Sequence, residues 1–406
     1  MTVAKKMITR LSGRVGDGAV CLSFYAAGGS DLSAPMPVRV WREEHPAFTF
    51  NKDYGEYFHG LRCPAEHEIF SGTLIPVNGR KFEFRDGAAA IGHTYAYWIR
   101  HEDDDEHVGP IALRIRDPRV WWTAEEIGRR LTQLAERFPG RAEVLTFGRS
   151  VEGRPLRGVI AGNRERLVGF VGLVHAGESG PELIIPALEG VLGEHEDLLR
   201  QAGIAVLPCV NLDNRNRLAE GVPWYLRTNA AGVDLNRNFD AGWDMTDYSY
   251  GLDSSDRTSM TYRGPTPASE PETLAVMNFV AHCKPHLLFS MHCLSGICGD
   301  SFLTAKAAEH DTAFLTEARA WAETYRHGMY PDATAPLAFS CGCSTGSLPG
   351  WLYRHARIPG FDLELGTNED ARPCVTDQTT PELLSIYRQR HLGGMRSVLL
   401  QMSHLP

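Results

Sequence analysis

Two residues with zinc-binding side chains follow a long apolar stretch of the chain. Leu167 to Val174 is apolar or glycine throughout and leads directly into His175-Ala-Gly-Glu178. An unbroken apolar run of this length, bounded by turn residues, is typical of a strand buried on both faces in a parallel sheet. On the bend beyond such a strand, His175 and Glu178 can converge on one point, and zinc accepts both imidazole nitrogen and carboxylate oxygen. A His-x-x-Glu pair alone is a weak signal, so the prediction depends on the rest of the chain.

His292 is the third candidate ligand, because it too follows an apolar run, Leu287 to Met291. Ligand sites in α/β sheets lie outside the carboxyl ends of the strands, so His292 and His175 are expected at the same edge. Two imidazoles and one carboxylate would leave the fourth zinc position to water, as in catalytic sites. A zinc-bound histidine usually donates its second ring nitrogen to a carboxylate, and Asp234 is the candidate partner of His175. For a lone histidine, a hydrogen-bonded structural role is the alternative.

Residues 1–117 are predicted to form a small all-β sandwich domain. Short alternating runs, each bounded by Gly, Pro, Asn or Asp, recur there without a helical period. The predicted strands are 19–25, 38–41, 81–85, 94–100 and 111–116. The Tyr-x-Tyr-x-Ile pattern in the fourth of these is similar to part of a fibronectin type III domain. The acidic turn at 102–106 is interpreted as a solvated loop, with a calcium site as the alternative.

Residues 118–406 are predicted to form a second domain, since strand and helix patterns alternate after Asp117-Pro118. Thr123 to Glu126 has the form of a capping box, and apolar residues at helical spacing follow it. Ser269 to Glu272 has the same form, so its acidic residues are interpreted as helix architecture. The alternation predicts an α/β fold, with a mixed, largely parallel sheet covered by helices on both faces. The predicted strands are 144–147, 156–160, 167–174, 204–209, 286–291 and 361–365, and the later helices are 181–199, 270–282, 304–325, 346–355 and 381–402.

Composition excludes several other classes of protein. The formal net charge of -9 over 406 residues argues against a nucleic-acid surface. No stretch approaches the ~18 unbroken apolar residues of a transmembrane helix, and the first residues lack the apolar segment of a secretory signal. The nine cysteines, an odd number mostly in apolar contexts, are expected to be free buried thiols. We therefore expect a cytoplasmic protein with no nucleic-acid or membrane partner, and the oligomeric state stays open.

The most specific stretch of the sequence is Gly232-Val-Asp-Leu-Asn-Arg-Asn-Phe239. It resembles the GVDLNRNF signature of the zinc carboxypeptidase family, the carboxypeptidase A-like metallocarboxypeptidases. Other matches occur in the family's order and extend the resemblance over residues 119–402. They are G-x-S-x-E-G-R-P at 148–155, Asn211-Leu-Asp213 for Asn-Pro-Asp, Y-x-G-P at 262–265, S-E-P-E-T at 269–273, and Phe361-Asp-Leu-Glu-Leu365 for F-T-x-E-L.

This resemblance implies roles for individual residues. It implies that one zinc ion is held by His175, Glu178 and His292. Glu364 falls on the family's general base, which takes a proton from the zinc-bound water and passes it to the leaving amine. The alternative for Glu364 is a strand-end carboxylate paired with an arginine.

Three further positions match substrate-side residues of the family. Arg227 falls on the arginine beside the developing oxyanion, where a fixed cation favours transition-state charge. Asn236 and Arg237 fall on the pair that binds the terminal carboxylate of the substrate, a task that suits a planar guanidinium. A salt bridge is the alternative for Arg237.

The resemblance implies a zinc metallopeptidase, a metallocarboxypeptidase that hydrolyses a C-terminal peptide bond of a peptide with a free carboxylate. Two departures leave the substrate open. The spacer Ala176-Gly177 lacks the arginine of many members, and Phe339 to Cys343 lacks the family's mobile tyrosine, with Tyr330 too early to replace it. The first alternative is a related zinc amidase or peptidase. Its substrate would be a peptidoglycan peptide, a γ-glutamyl or polyglutamate side chain, or an acyl-amino acid. A non-catalytic peptide-binding protein is the second.

Overall fold

The computed structural model describes residues 7–16, 18–27, 34–44, 61–178, 180–221, 226–245, 255–292, 301–364 and 380–405. The chain divides into two compact units. The first comprises Met1–Pro118 together with the later segment Arg217–Tyr225, and the second comprises Arg119–Asn216 and Leu226–Pro406. The chain therefore enters the first unit twice. None of the described helices is long and apolar enough to cross a membrane.

The first unit contains two antiparallel sheets of three and four strands, in the orders β1-β2-β5 and β4-β3-β6-β7. The strands are β1 (Ile8–Gly16), β2 (Ala19–Ala26), β3 (Met36–Glu44), β4 (Glu68–Leu74), β5 (Lys81–Asp86), β6 (Thr94–His101) and β7 (Val108–Arg114). Their buried apolar side chains, among them Phe24, Val40, Phe82 and Tyr97, form one core. The segment 217–225 is tied to this unit by a hydrogen bond from Arg116 Nη1 to the carbonyl of Leu218 (2.6 Å).

The second unit contains one mixed sheet of eight strands, in the order β14-β13-β15-β12-β10-β11-β9-β8. The strands are β8 (Ala142–Arg149), β9 (Pro155–Gly162), β10 (Leu167–Gly172), β11 (Gly203–Leu207), β12 (Leu287–Met291), β13 (Ser301–Ala305), β14 (Ala338–Cys343) and β15 (Gly360–Glu364). The central strands β15, β12, β10 and β11 run parallel to one another. Strands β10 and β11 are buried on both faces, as their unbroken apolar sequences predict.

Helices flank this sheet, so the predicted fold class is observed. They are α1 (Ala124–Arg137), α2 (Pro181–Glu194), α3 (Glu196–Gln201), α4 (Leu212–Ala219), α5 (Pro271–Cys283), α6 (Thr312–Met329), α7 (Leu348–Ala356) and α8 (Pro381–Ser403). The Thr123 side chain caps α1 by accepting from the Glu126 N–H (3.2 Å). The capping box predicted at Ser269 is wrong: Glu270 is the N-cap of α5 and makes no side-chain cap bond.

The predicted helix 304–325 is also wrong in its first part. Residues 301–305 form strand β13, Lys306–Ala308 form one 3-10 turn, and the helix α6 begins only at Thr312, capped by Asp311. Strand β13 and its edge neighbour β14 are short and carry polar residues, so neither produces the apolar run that identified the central strands. Strands β1 and β4, which are largely unburied, were missed for the same reason.

Helices α6 and α8 approach each other closely at glycines. A Cβ added to Gly328 would overlap the carbonyl oxygen of Gly393 and lie 2.5 Å from Ser397 Oγ. Next to this contact, the fully buried Tyr325 hydroxyl lies 2.6 Å from Nδ1 of the equally buried His391. The backbone contact therefore requires the absence of a side chain at Gly328.

We expect Gly328→Ala to destabilise the second unit by about 1–3 kcal/mol, since overpacking forces backbone shifts. Urea denaturation followed by circular dichroism measures this change. The matched control is Gly193→Ala in α2, where an added Cβ would meet nothing closer than 3.9 Å. That variant should gain up to ~1 kcal/mol from helix propensity. Equal stability of the two variants would contradict the close approach.

Candidate metal centre

Three adjacent parallel strands deliver the candidate chemistry to one edge of the sheet. Strand β10 ends at Gly172 shortly before His175, β12 ends immediately before His292, and β15 ends at Glu364. In the sheet these strands are neighbours, in the order β15-β12-β10. After β10 the chain turns through Leu173, whose φ of 51° is in the left-handed region that non-glycine residues rarely adopt. The predicted convergence at the carboxyl edge is therefore present in the structure.

The predicted ligands His175, Glu178 and His292 form one cluster. Their donor atoms all lie within 4.8 Å of one another, and all three residues are buried. Nδ1 of His175 lies 2.9 Å from Glu178 Oε1, and Nδ1 of His292 lies 3.0 Å from Glu178 Oε2. Ligands of a tetrahedral zinc ion at bond lengths near ~2.1 Å keep comparable separations, and two imidazoles with one carboxylate are a zinc donor set. The residues therefore fit zinc.

Each imidazole has its other nitrogen, Nε2, directed at a second carboxylate. Nε2 of His175 lies 3.0 Å from Asp234 Oδ1, as predicted. Nε2 of His292 lies 3.1 Å from Asp362 Oδ1, and Ser290 Oγ is 3.2 Å from the same nitrogen. With Nε2 next to a carboxylate, each ring would offer Nδ1 to a bound zinc ion.

Charges in this cluster shift the pKa values of its members. Burial would raise the pKa of Glu178, but the two histidines outweigh it and lower that pKa strongly. Burial would likewise lower the pKa of His292, but Asp362 and Glu178 raise it well above the ordinary value. For Glu364, burial raises the pKa, and the nearby Glu178 and Asp362 charges act in the same direction. The cluster thus holds its negative charges by pairing them with imidazoles.

Arg227 is joined to the metal cluster through Asp234. Its Nε donates to Asp234 Oδ2 (2.8 Å), while Asp234 Oδ1 faces His175. Burial would raise the pKa of Asp234, but Arg227 and His175 outweigh it and keep the carboxylate ionised. The predicted oxyanion arginine therefore lies one carboxylate away from a predicted metal ligand.

The two predicted carboxylate-binding residues lie on a 3-10 turn, Leu235–Arg237, capped by Asp234. Asn236 Nδ2 donates to Asp362 Oδ2 (2.8 Å), and Asn236 Oδ1 accepts from the Leu348 N–H (3.0 Å). Arg237 is buried, and its Nη1 donates to the carbonyl of Asn236 (3.0 Å). The structure thus brings both residues to the metal cluster, with Asn236 connected to His292 through Asp362.

Sequence reasoning missed two residues that hold the cluster. One is Asp362, and its signal was its position two residues before Glu364, which puts both on one face of a strand. The other is Arg215, whose Nη1 donates to the backbone carbonyl of Glu178 (3.1 Å) and whose Nη2 pairs with buried Glu182. Nothing in the spacing of Arg215 indicates this contact.

The Ser269–Glu272 segment proved to be part of a buried polar network. Glu270 and Glu272 both accept hydrogen bonds from Asn229 Nδ2, at 2.7 and 3.0 Å. Asn229 Oδ1 in turn accepts the N–H groups of Ala231 and Val233 at the start of the GVDLNRNF stretch. These acidic residues therefore fix the loop that carries Asp234 and Arg237.

A buried His-Glu-His donor set at the carboxyl edge of a mixed α/β sheet, with a carboxylate on the next strand, has the ligand types of a catalytic zinc site. Comparison with known proteins identifies the family. The family model described as zinc carboxypeptidase matches residues 127–380. The chain belongs to the zinc carboxypeptidase family, whose carboxypeptidases depend on zinc.

Curated relatives match over part of their length. Human carboxypeptidase B2 is 28% identical over 211 residues, which cover 46% of this chain and 48% of that protein. Murein peptide amidase A of Escherichia coli K12 is 34% identical over 150 residues, which cover 36% of this chain and 57% of the amidase. The chain thus spans about half the length of these curated relatives.

Solved structures share the fold. Bovine thrombin-activatable fibrinolysis inhibitor, in complex with tick carboxypeptidase inhibitor, matches with a TM-score of 0.58 at 20% identity, covering 70% of this chain and 98% of that one. Carboxypeptidase A from Helicoverpa armigera matches with a TM-score of 0.58 at 18% identity, covering 81% and 90%.

Zinc occupancy should fall as the pH is lowered, because protons compete with the metal for Nδ1 of His175 and His292. The carboxylates that raise the pKa of His292 move this competition above the ordinary imidazole pKa of ~6.5. Zinc per chain, measured by atomic absorption at a fixed subsaturating free zinc concentration, should decrease steadily from about pH 8 to about pH 5. The control, His292→Ala, should hold little zinc throughout. A constant zinc content in the unmodified protein would exclude the histidines as ligands.

Proposed function

We propose that this protein is a zinc-dependent metallocarboxypeptidase that hydrolyses the C-terminal peptide bond of a peptide substrate. The observation that carries the proposal is the meeting of His175, Glu178 and His292 at one sheet edge, with Glu364 ending the adjacent strand. Membership of the zinc carboxypeptidase family supports it. A cytoplasmic location and the absence of nucleic-acid and membrane partners stay predictions.

Glu364 is proposed as the general base. Zinc bound by the cluster would lower the pKa of a water molecule and polarise the scissile carbonyl. Because burial raises the pKa of Glu364, its carboxylate accepts a proton more readily than an exposed one, and the protonated form can donate to the leaving amine. A base placed on β15 next to the ligand strand β12 has little freedom to move away.

Arg227 is proposed to stabilise negative charge on the carbonyl oxygen during the reaction. Its guanidinium is buried and is oriented by the 2.8 Å hydrogen bond from Nε to Asp234. A cation fixed before the reaction costs no reorganisation when charge develops, which makes such groups effective. Asp234 would therefore orient both a zinc ligand and this cation.

Arg237, with Asn236, is proposed to bind the terminal carboxylate of the substrate. Arg237 is buried close enough to Asp234 for its charge to lower the pKa of that carboxyl. A guanidinium next to the metal cluster can bind a substrate carboxylate through two parallel hydrogen bonds, a geometry that suits a terminal carboxylate. This is the reason for proposing cleavage at the C-terminus.

A second candidate function is hydrolysis of a different amide at the same site, as in a peptidoglycan-peptide amidase or a γ-glutamyl peptidase. It is favoured by Ala176-Gly177, which lacks the arginine found there in many family members. The 34% identity to murein peptide amidase A over 150 residues supports it as well.

A mixed peptide library that includes D-linked and γ-linked termini tests both candidates. With zinc-loaded protein, mass spectrometry should detect loss of a single C-terminal residue, whereas cleavage only at D- or γ-linked amides would favour the amidase. Glu364→Gln is the control and should retain zinc but cleave at least ~100-fold more slowly, since it lacks the general base. If no library member is cleaved while the protein holds zinc, the peptidase proposal fails.

Arg237→Lys should lower kcat/KM for substrates with a free terminal carboxylate by about 10–100-fold, because an ammonium group cannot form the paired hydrogen bonds of a guanidinium. Zinc content should not change. The matched control is Arg263→Lys, which removes a guanidinium that stacks 4.5 Å from the Trp243 ring centroid. Steady-state kinetics should show kcat/KM for this control close to that of the unmodified protein. Equal kcat/KM for both variants would argue against a carboxylate site at Arg237.

A further inference from the structure

Asp362 occupies an unusual position among the residues around the candidate zinc site. It lies on the same strand as Glu364 and two residues before it, so both side chains leave the same face of β15. In the parallel pairing of β15 with β12, Asp362 is the register partner of Ser290, which precedes His292 by two residues. Strand pairing therefore places the Asp362 carboxylate behind the His292 ring.

The two carboxylate oxygens of Asp362 have different neighbours, His292 for Oδ1 and Asn236 with Cys343 for Oδ2. Oδ1 lies 3.1 Å from Nε2 of His292. Oδ2 accepts from Asn236 Nδ2 (2.8 Å) and lies 3.3 Å from Sγ of buried Cys343, whose single S–H is shared with the Leu303 carbonyl (3.1 Å). Only 5% of Asp362 is exposed, so solvent does not screen its interaction with His292.

We propose that Asp362 is a positioning residue that orients His292 and strengthens its bond to the metal. This inference rests on zinc binding in the proposed function and is independent of which amide is hydrolysed. A carboxylate at Nε2 fixes the tautomer that presents Nδ1 and makes the imidazole a stronger donor. Each candidate zinc histidine then has a carboxylate next to its Nε2. That carboxylate is Asp234 for His175 and Asp362 for His292.

The two carboxylate–imidazole pairs are not equivalent. Asp234 also accepts a hydrogen bond from the Arg227 guanidinium, and this cation partly neutralises the negative charge of the Asp234 carboxylate. The hydrogen-bond donors that the described residues offer to Asp362 are a neutral amide and a neutral thiol, while Oδ1 faces His292 Nε2, which the Ser290 hydroxyl also approaches (3.2 Å). More of the Asp362 charge therefore acts on its histidine. Strand β15 consequently carries two functions, the proposed base and the support of a ligand.

The test measures zinc affinity of the full chain by competition with a chromophoric chelator. Asp362→Asn keeps the shape of the side chain and removes its charge, while Asp362→Thr places the residue of the F-T-x-E-L pattern at this position. Each should weaken zinc binding by about 10–100-fold, as loss of such a partner typically does. The rate of zinc release into excess chelator should rise in parallel.

A matched control separates positioning from stability. Thr304→Val removes a buried hydrogen bond from Thr304 Oγ1 to the Gly360 carbonyl, at the far end of the same strand (2.9 Å). Both kinds of variant should lower the melting temperature, but only the Asp362 variants should weaken zinc binding. Saturating zinc should restore hydrolysis in Asp362→Asn, in contrast to Glu364→Gln, where it should not.

Zinc affinity of the Asp362 variants within twofold of the unmodified protein would overturn the proposal, even if hydrolysis changes. An equal loss of affinity in Thr304→Val would also overturn it. If the variants do not fold, nitrogen NMR of the unmodified protein with ¹¹³Cd in place of zinc still decides. Coupling of cadmium to Nδ1 of His292, with the ring proton on Nε2, is expected, and coupling to Nε2 would contradict the proposal. Absence of peptidase activity in a protein that passes these tests would refute only the proposed function.

Discussion

Burial of negative charge at one sheet edge is the constraint on which this structure depends. Glu178, Asp234 and Asp362 expose 3%, 0% and 5% of their surfaces, and Glu364 ends the neighbouring strand. Isolated carboxylates would be very costly at such depth, so each must be compensated. Two imidazoles and the Arg227 guanidinium provide part of this compensation. A divalent cation bound by His175, Glu178 and His292 would add to this compensation, so metal binding would stabilise the folded state.

The sheet supplies the rigidity that this charge cluster needs. Strands β10, β12 and β15 are adjacent and parallel, and their apolar residues are packed between helices, so their ends cannot separate without disrupting the core. The flanking loops are fixed by hydrogen bonds from side chains, Arg215 for the Glu178 turn and Asn229 for the loop that carries Asp234. Arg215 and Asn229 have no proposed role in binding substrate. They nevertheless determine where the metal-binding and substrate-binding side chains lie.

Much of the site was predictable because its residues follow long apolar runs, which identify buried strands and hence a shared edge. His175, Glu178 and His292 came from this reasoning, whereas Asp234 was predicted as the carboxylate partner of His175 in the Gly232–Phe239 stretch, and all four lie together in the structure. Asp362 was not predictable in this way, since its role depends on the register between β15 and β12. The acidic residues of Ser269–Glu272 were misassigned because local spacing indicated a helix cap, whereas a distant residue, Asn229, binds them. Long-range pairing of polar groups is not encoded in local sequence patterns.

The second passage of the chain through the first unit has a consequence for any attempt to divide the protein. Segment 217–225 lies far from residues 1–118 in sequence but shares their unit, and it supplies the carbonyl that the buried Arg116 side chain uses. A single cut at Pro118 would separate that guanidinium from this acceptor, and the loss of a hydrogen bond to a charged group is destabilising. The amino-terminal sandwich is therefore a discontinuous domain. One continuous stretch of the gene therefore does not encode this domain, and a duplication or exchange of residues 1–118 alone would leave out segment 217–225.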